Sequence, residues 1–144
     1  MMKILLVGAT GQIGHALAKK LVASGHDTTL LVRHAAKAAI PGAKLIEARS
    51  FDKAAFTTAL AGQDAAIYGV GLPEQFVFDP GVFARVNRDL LTVFLDALGN
   101  SGVRRLIYIS TYEVFEAVNA QIRERHPVAD TAGMTPYFAA MIEA

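Results

Sequence analysis

Gly8-Ala9-Thr10-Gly11-Gln12-Ile13-Gly14 is the stretch that decides the fold. Directly before it runs Ile4-Leu5-Leu6-Val7, short, continuously apolar and closed by glycine, as a strand buried on both faces is. Directly after it the period changes. From Gln12 to Ser24 the residues Ile13, Ala16, Leu17 and Leu21 share one helical face, Lys19 and Lys20 lie off its centre, and Gly25 stands where a C-cap glycine belongs. A glycine turn from a buried strand into a helix presents first-turn N–H groups and the positive end of the helix dipole to an anion. Gly8 allows the tight turn, Gly11 lets backbone meet a diphosphate with no Cβ between, and Gly14 lets the helix pack closely on the sheet. Thr10, Gln12 and Ile13 complete the cradle. A plain strand-to-helix turn is the competing reading, and the context on both sides favours the diphosphate of NAD or NADP.

Beyond the loop, strands and helices alternate. Thr28 to Val32, Lys44 to Glu47, Ala65 to Val70 and Arg105 to Ser110 read as strands. Lys53 to Leu60 reads as a short helix, and Leu72 to Pro80 as a loop. Val82 to Leu98 is the clearest helix, with Phe83, Val86, Leu90, Leu91, Phe94, Ala97 and Leu98 on one stripe. Thr135 to Ala144 starts another. Such alternation with short connections implies an α/β doubly wound parallel sheet, a Rossmann fold with strand order 3-2-1-4-5. The ligand is expected at the carboxyl ends of strands 1 and 4, where the winding reverses.

The chain has 144 residues, enough for one domain over 1–144. A hydrophobic share of 53% against 19% charged makes it a folded chain. A net charge of +1, with scattered basic residues, speaks against nucleic acid or an anionic membrane as partner. No cysteine is present, which rules out disulfides, thiolate catalysis and cysteine-bound metal. His15, His26, His34 and His126 lack metal-ligand spacing, so no metal is expected. No apolar run approaches the ~18 residues of a membrane span, and a cytoplasmic protein is expected.

Arg33-His34 follows the second strand, with Lys37 a turn later and no acid at that strand end. An arginine there pairs with the 2′-phosphate of NADP, so NADP is the expected cofactor and NAD the alternative; a merely solvated arginine is the bland reading. His34 is a phosphate neighbour in this scheme.

The spacing G-x-x-G-x-x-G with Ala9-Thr10 inside it resembles the extended and atypical short-chain dehydrogenase/reductases, including the NAD-dependent epimerase/dehydratase family. Three further landmarks carry the likeness. Tyr68-Gly69-Val70-Gly71 matches the small residues that line the dinucleotide, with Gly69 at a contact position. Ser110-Thr111-Tyr112-Glu113-Val114-Phe115 resembles the family's Ser-Ser-x-x-Val-Tyr, which implies Ser110 beside the cofactor and Thr111 holding the substrate oxygen. Thr135-Pro136-Tyr137 resembles the opening of the catalytic helix, which implies Tyr137 as proton donor. Asn87 falls at the family's recurrent helix asparagine.

Two positions depart from the pattern. Arg49 stands where a family Asp contacts adenine, and Met141 where a Lys lowers the Tyr pKa from its free value of about 10. Without that cation Tyr137 stays protonated at neutral pH and serves as a donor rather than a base. Ordinary turn chemistry at Ser110-Thr111 and a packed aromatic at Tyr137 remain the alternatives. The resemblance implies an oxidoreductase or epimerase/dehydratase-like protein acting on a small molecule. The second reading is a non-catalytic dinucleotide sensor on the same fold, which Met141 favours. Family members continue past the catalytic helix into a C-terminal substrate lobe, so the chain is expected to be the cofactor-binding part, truncated in that helix. Phe76-Val77-Phe78 is the one substrate-side segment expected here. An open sheet edge then implies an oligomer or a longer chain, and relatives pair through the fourth and catalytic helices, which allows a homodimer.

Overall fold

The structure is a computed structural model, which describes residues 1–73, 79–116 and 122–144. It divides into two compact units, Met1–Val70 with Val93–Ile109, and Gly71–Thr92 with Ser110–Ala144.

The first unit holds the sheet. Strands β1 (Lys3–Val7), β2 (Asp27–Val32), β3 (Lys44–Glu47), β4 (Ala65–Tyr68) and β5 (Arg105–Tyr108) are all parallel, in the order β3-β2-β1-β4-β5. This is the expected Rossmann arrangement. Helices α1 (Gln12–Ala23) and α2 (Lys53–Leu60) belong to this unit, with the Val93 to Leu98 part of α4 (Leu90–Leu98).

Because side chains alternate along a strand, register sorts the core into two faces. Leu6 lies opposite Leu30 and Ile67. With Ile4, Val32 and Ala65 these residues form one buried cluster that includes Ala18 of α1. Leu5, Val7, Leu31, Ala66 and Tyr68 fill the other face. There the Tyr68 ring lies 4.8 Å from Phe94, and Phe94 meets Phe56 edge-on at 5.1 Å. Burial on both sides explains the unbroken apolar run of β1. The Tyr68 hydroxyl is buried with no partner among the described residues. Burial, with Tyr108 beside it, pushes its pKa well above the ordinary 10.0, so it stays neutral.

The second unit is built on helices. It contains α3 (Gly81–Phe83), a π-helical stretch Ala84–Asp89, a 3-10 turn Tyr112–Val114 and α5 (Pro136–Ile142). The last helix packs against α3, the π-helix and the 3-10 turn. Phe83 and Tyr137 meet edge-on at 5.7 Å, and Arg88 bridges to Glu143 at 2.5 Å.

Several expectations are adjusted. β4 and β5 end at Tyr68 and Tyr108 rather than at Val70 and Ser110, because Tyr68 opposite Tyr108 is the last paired position. The helix expected from Val82 to Leu98 is interrupted by the π-helix. Asn87 joins its apolar stripe at 1% exposure. The segment Phe76-Val77-Phe78 lies outside the described residues. Among the described residues no helix is long and apolar enough to cross a membrane.

Candidate functional site

The three glycines of the loop differ in what requires them. Gly8 has φ +100°, a left-handed conformation costly for other residues, and a Cβ there would stand 2.5 Å from the Gly69 carbonyl oxygen. A Cβ on Gly14 would run into the carbonyl of Gly8. Both glycines are therefore demanded by the fold, and Gly69 is brought directly against Gly8 where β1 and β4 end. Gly11 is different. Its φ of −78° and ψ of 163° suit any residue, and a Cβ would meet nothing nearer than the Gly8 oxygen at 3.5 Å. Protein packing leaves room for a methyl there.

Gly11 is the N-cap of α1 and makes no side-chain cap. His15 N donates to Gly11 O at 2.8 Å, which starts the helical ladder. The N–H groups of Gln12, Ile13 and Gly14 thus precede any helical acceptor. The first turn carries no acid. Thr10, Gly11, Gln12 and Ile13 are all exposed, and Ile13 shows 65% of its surface. Bare donors, a dipole and an uncovered apolar side chain together fit a diphosphate with its attached ribose.

Arg33 and His34 follow β2 and are exposed; Arg33 has no ion-pair or hydrogen-bond partner among the described residues. His34 occupies the N-cap position of the short 3-10 turn Ala35–Lys37 and makes no side-chain cap bond. Arg49, after β3, is also exposed. One acid that strand-by-strand reading misses stands here. Glu47 ends β3 opposite Val32, and its Oε2 accepts from Ala35 N at 3.3 Å. Only the β2–β3 pairing reveals it. Asp27, at the far end of β2, is paired with Lys44 at 2.8 Å.

In the second unit, Ser110 is exposed and Thr111 caps the 3-10 turn. The Thr111 hydroxyl accepts from Glu113 N at 3.4 Å and donates to Glu113 Oε2 at 3.1 Å. Tyr137 opens α5 just after Pro136, with its ring against Phe83 and Phe138. The structure thus places Thr111 and Tyr137 on two elements packed together, the 3-10 turn and α5. Met141 lies one turn after Tyr137, and the nearby cation Arg88 is committed elsewhere. Hydrogen bonds to Asp89 first and Glu143 second raise its pKa above the ordinary value. Asn87 clamps the strand-4 loop: Leu72 N donates to its Oδ1 at 2.7 Å, and its Nδ2 donates to Leu72 O at 3.2 Å. Among the described residues no group of His, Asp or Glu is placed to hold a metal.

The family model described as NAD(P)H-binding matches residues 8–144. No curated protein matches the chain. Among solved structures, that of gox2253 is 24% identical with a TM-score of 0.85, over 99% of this chain and 45% of its own. A short-chain dehydrogenase/reductase superfamily protein from Agrobacterium tumefaciens, solved with bound NAD, is 23% identical with a TM-score of 0.78, over 97% of this chain and 42% of its own. The UDP-Glc/GlcNAc 4-epimerase from Campylobacter jejuni is 20% identical with a TM-score of 0.83, over 99% of this chain and 46% of its own. The chain spans less than half the length of each of the three. At such identities the likeness is one of fold.

Proposed function

The chain belongs to the NAD(P)H-binding family, and from that premise we propose that it holds NADP on the Gly8–Gly14 loop as an oxidoreductase or epimerase/dehydratase-like protein. The observation that carries the reading is Gly11. It is a glycine where the fold tolerates a methyl, at the mouth of a helix whose first donors lack helical acceptors. A diphosphate pressed against that backbone is what a side chain there would obstruct. Gln12, Ile13 and Gly14 N–H groups hold the phosphates, Thr10 and Gly69 border them, and Arg33 and His34 take the 2′-phosphate. Arg33, exposed and with no ion-pair partner among the described residues, supports NADP over NAD.

When bound, the reduced nicotinamide would supply the hydride. Thr111 orients the substrate oxygen, with Ser110 beside it, and Tyr137 gives the proton from its hydroxyl. Met141 stands where the family carries its activating cation, which supports Tyr137 as a proton donor in the reducing direction. Substrate class remains that of a small molecule with a reducible oxygen function.

A second reading is a dinucleotide sensor without turnover, favoured by Met141 and by the engagement of the Thr111 hydroxyl with Glu113. Measuring NADPH binding, and NADPH oxidation with a panel of small carbonyl compounds as hydride acceptors, for the wild-type chain and Tyr137→Phe separates the two. The enzyme reading expects turnover that Tyr137→Phe abolishes while binding persists. Binding without turnover in both proteins selects the sensor.

A further inference from the structure

We infer that Glu47 is the second determinant of dinucleotide choice and acts against Arg33, so that the chain accepts both NAD and NADP in a ratio set by this pair. The inference rests on the dinucleotide site proposed above and names a residue that the site's glycine loop and arginine do not include. Glu47 closes β3 directly opposite Val32, the residue before Arg33. Glu47 and Arg33 make no ion pair with each other; Glu47 Oε2 accepts from Ala35 N at 3.3 Å, on the turn that follows Arg33 and His34. One carboxylate that accepts from Ala35 N and one guanidinium with no ion-pair partner among the described residues therefore stand at the carboxyl ends of β3 and β2.

Their chemistries oppose. An ionised carboxylate is an acceptor only, suited to the two hydroxyls of an adenosine ribose, and it repels a phosphate on the 2′ oxygen. A guanidinium is a donor only and draws that phosphate in bidentately. Glu47 is exposed, so its charge acts through partly screened space and tunes the choice rather than imposing it.

The test titrates the full chain with NADPH and with NADH, followed by nicotinamide fluorescence, for the wild type, Glu47→Gln and Glu47→Ala. Glu47→Gln keeps an oxygen to accept from Ala35 N and removes only the charge. It is expected to raise the NADPH-to-NADH affinity ratio about tenfold, with NADPH tighter and NADH weaker, the size of losing one partly screened charge beside a phosphate. Glu47→Ala moves the ratio the same way. An unchanged or falling ratio in Glu47→Gln overturns the inference while the dinucleotide site stands. If Glu47→Ala weakens both dinucleotides equally and Glu47→Gln matches wild type, Glu47 only braces the turn and the inference is overturned. A wild-type chain that binds neither dinucleotide overturns the site itself and this inference with it.

Discussion

Replacing each loop glycine by alanine separates what the fold needs from what the ligand needs. At Gly8, alanine must adopt φ +100°, which costs roughly 1–2 kcal/mol, and its Cβ meets the Gly69 carbonyl oxygen at 2.5 Å. Neither side of that contact is a flexible side chain, so the loop must shift as well. At Gly14 the helix would welcome alanine by about 1 kcal/mol on propensity alone. The Cβ nevertheless points into the Gly8 carbonyl, and the overlap outweighs that gain. Both variants are expected to lose about 2 kcal/mol or more of stability, a large share of a small domain's total. At Gly11 the terms nearly cancel. Alanine restricts the unfolded chain, a gain of about 0.4–1 kcal/mol, and is a poorer N-cap by a similar amount. With the nearest atom at 3.5 Å, no clash is added. Gly11→Ala should therefore unfold within about 0.5 kcal/mol of wild type, yet bind NADPH at least about tenfold more weakly, since its methyl occupies the diphosphate's approach. Urea denaturation and fluorescence titration on the same samples give both numbers. Undiminished NADPH binding by Gly11→Ala would refute the reasoning, and so would an unfolded Gly11→Ala protein.

Three further changes probe other parts of the account. Arg33→Ala should weaken NADPH about tenfold to a hundredfold and leave NADH nearly unchanged, as loss of a charge-assisted pair to the 2′-phosphate requires; parallel titrations read the difference. Asn87→Leu keeps the volume but strips Leu72 of both side-chain partners, and should lower stability by about 1–3 kcal/mol in denaturation. Asp52 caps α2 by accepting from Ala55 N at 2.8 Å. That bond, then one from Ser50, holds its carboxyl below the ordinary 3.8. A depressed folded-state pKa contributes stability above the unfolded value that is lost as pH falls through the folded value. The stability gap between wild type and Asp52→Ala should then be full at neutral pH and shrink below pH 3.8 in acid-titrated melts.

How much of this was legible in the chain follows from the range of each signal. Strand β1 and helix α1 are local patterns, and the strand-to-helix junction between them follows from residues close in sequence, although Gly8 also meets the Gly69 carbonyl across the sheet. Alternation with short connections carried the strand order as well. Glu47 escaped because it reaches the turn after β2 only through the β2–β3 register, a long-range property. Asn87 was visible as a motif residue, yet its burial at 1% was not. A polar side chain enters an apolar stripe only when backbone elsewhere needs its donors and acceptors, and Leu72 supplies that need from fifteen positions away. The π-helix around Asn87 leaves no mark in an apolar period either. Thr111 was read for a substrate oxygen, and the structure adds that it caps its own turn and bonds Glu113.

The central claim is that the Gly8–Gly14 loop holds a nicotinamide dinucleotide, with Arg33 favouring NADP. Titrating the wild-type chain with NADPH and NADH by nicotinamide fluorescence tests it most directly. The account predicts saturable, one-to-one binding of both, with NADPH the tighter. Absence of saturable binding by either dinucleotide contradicts it.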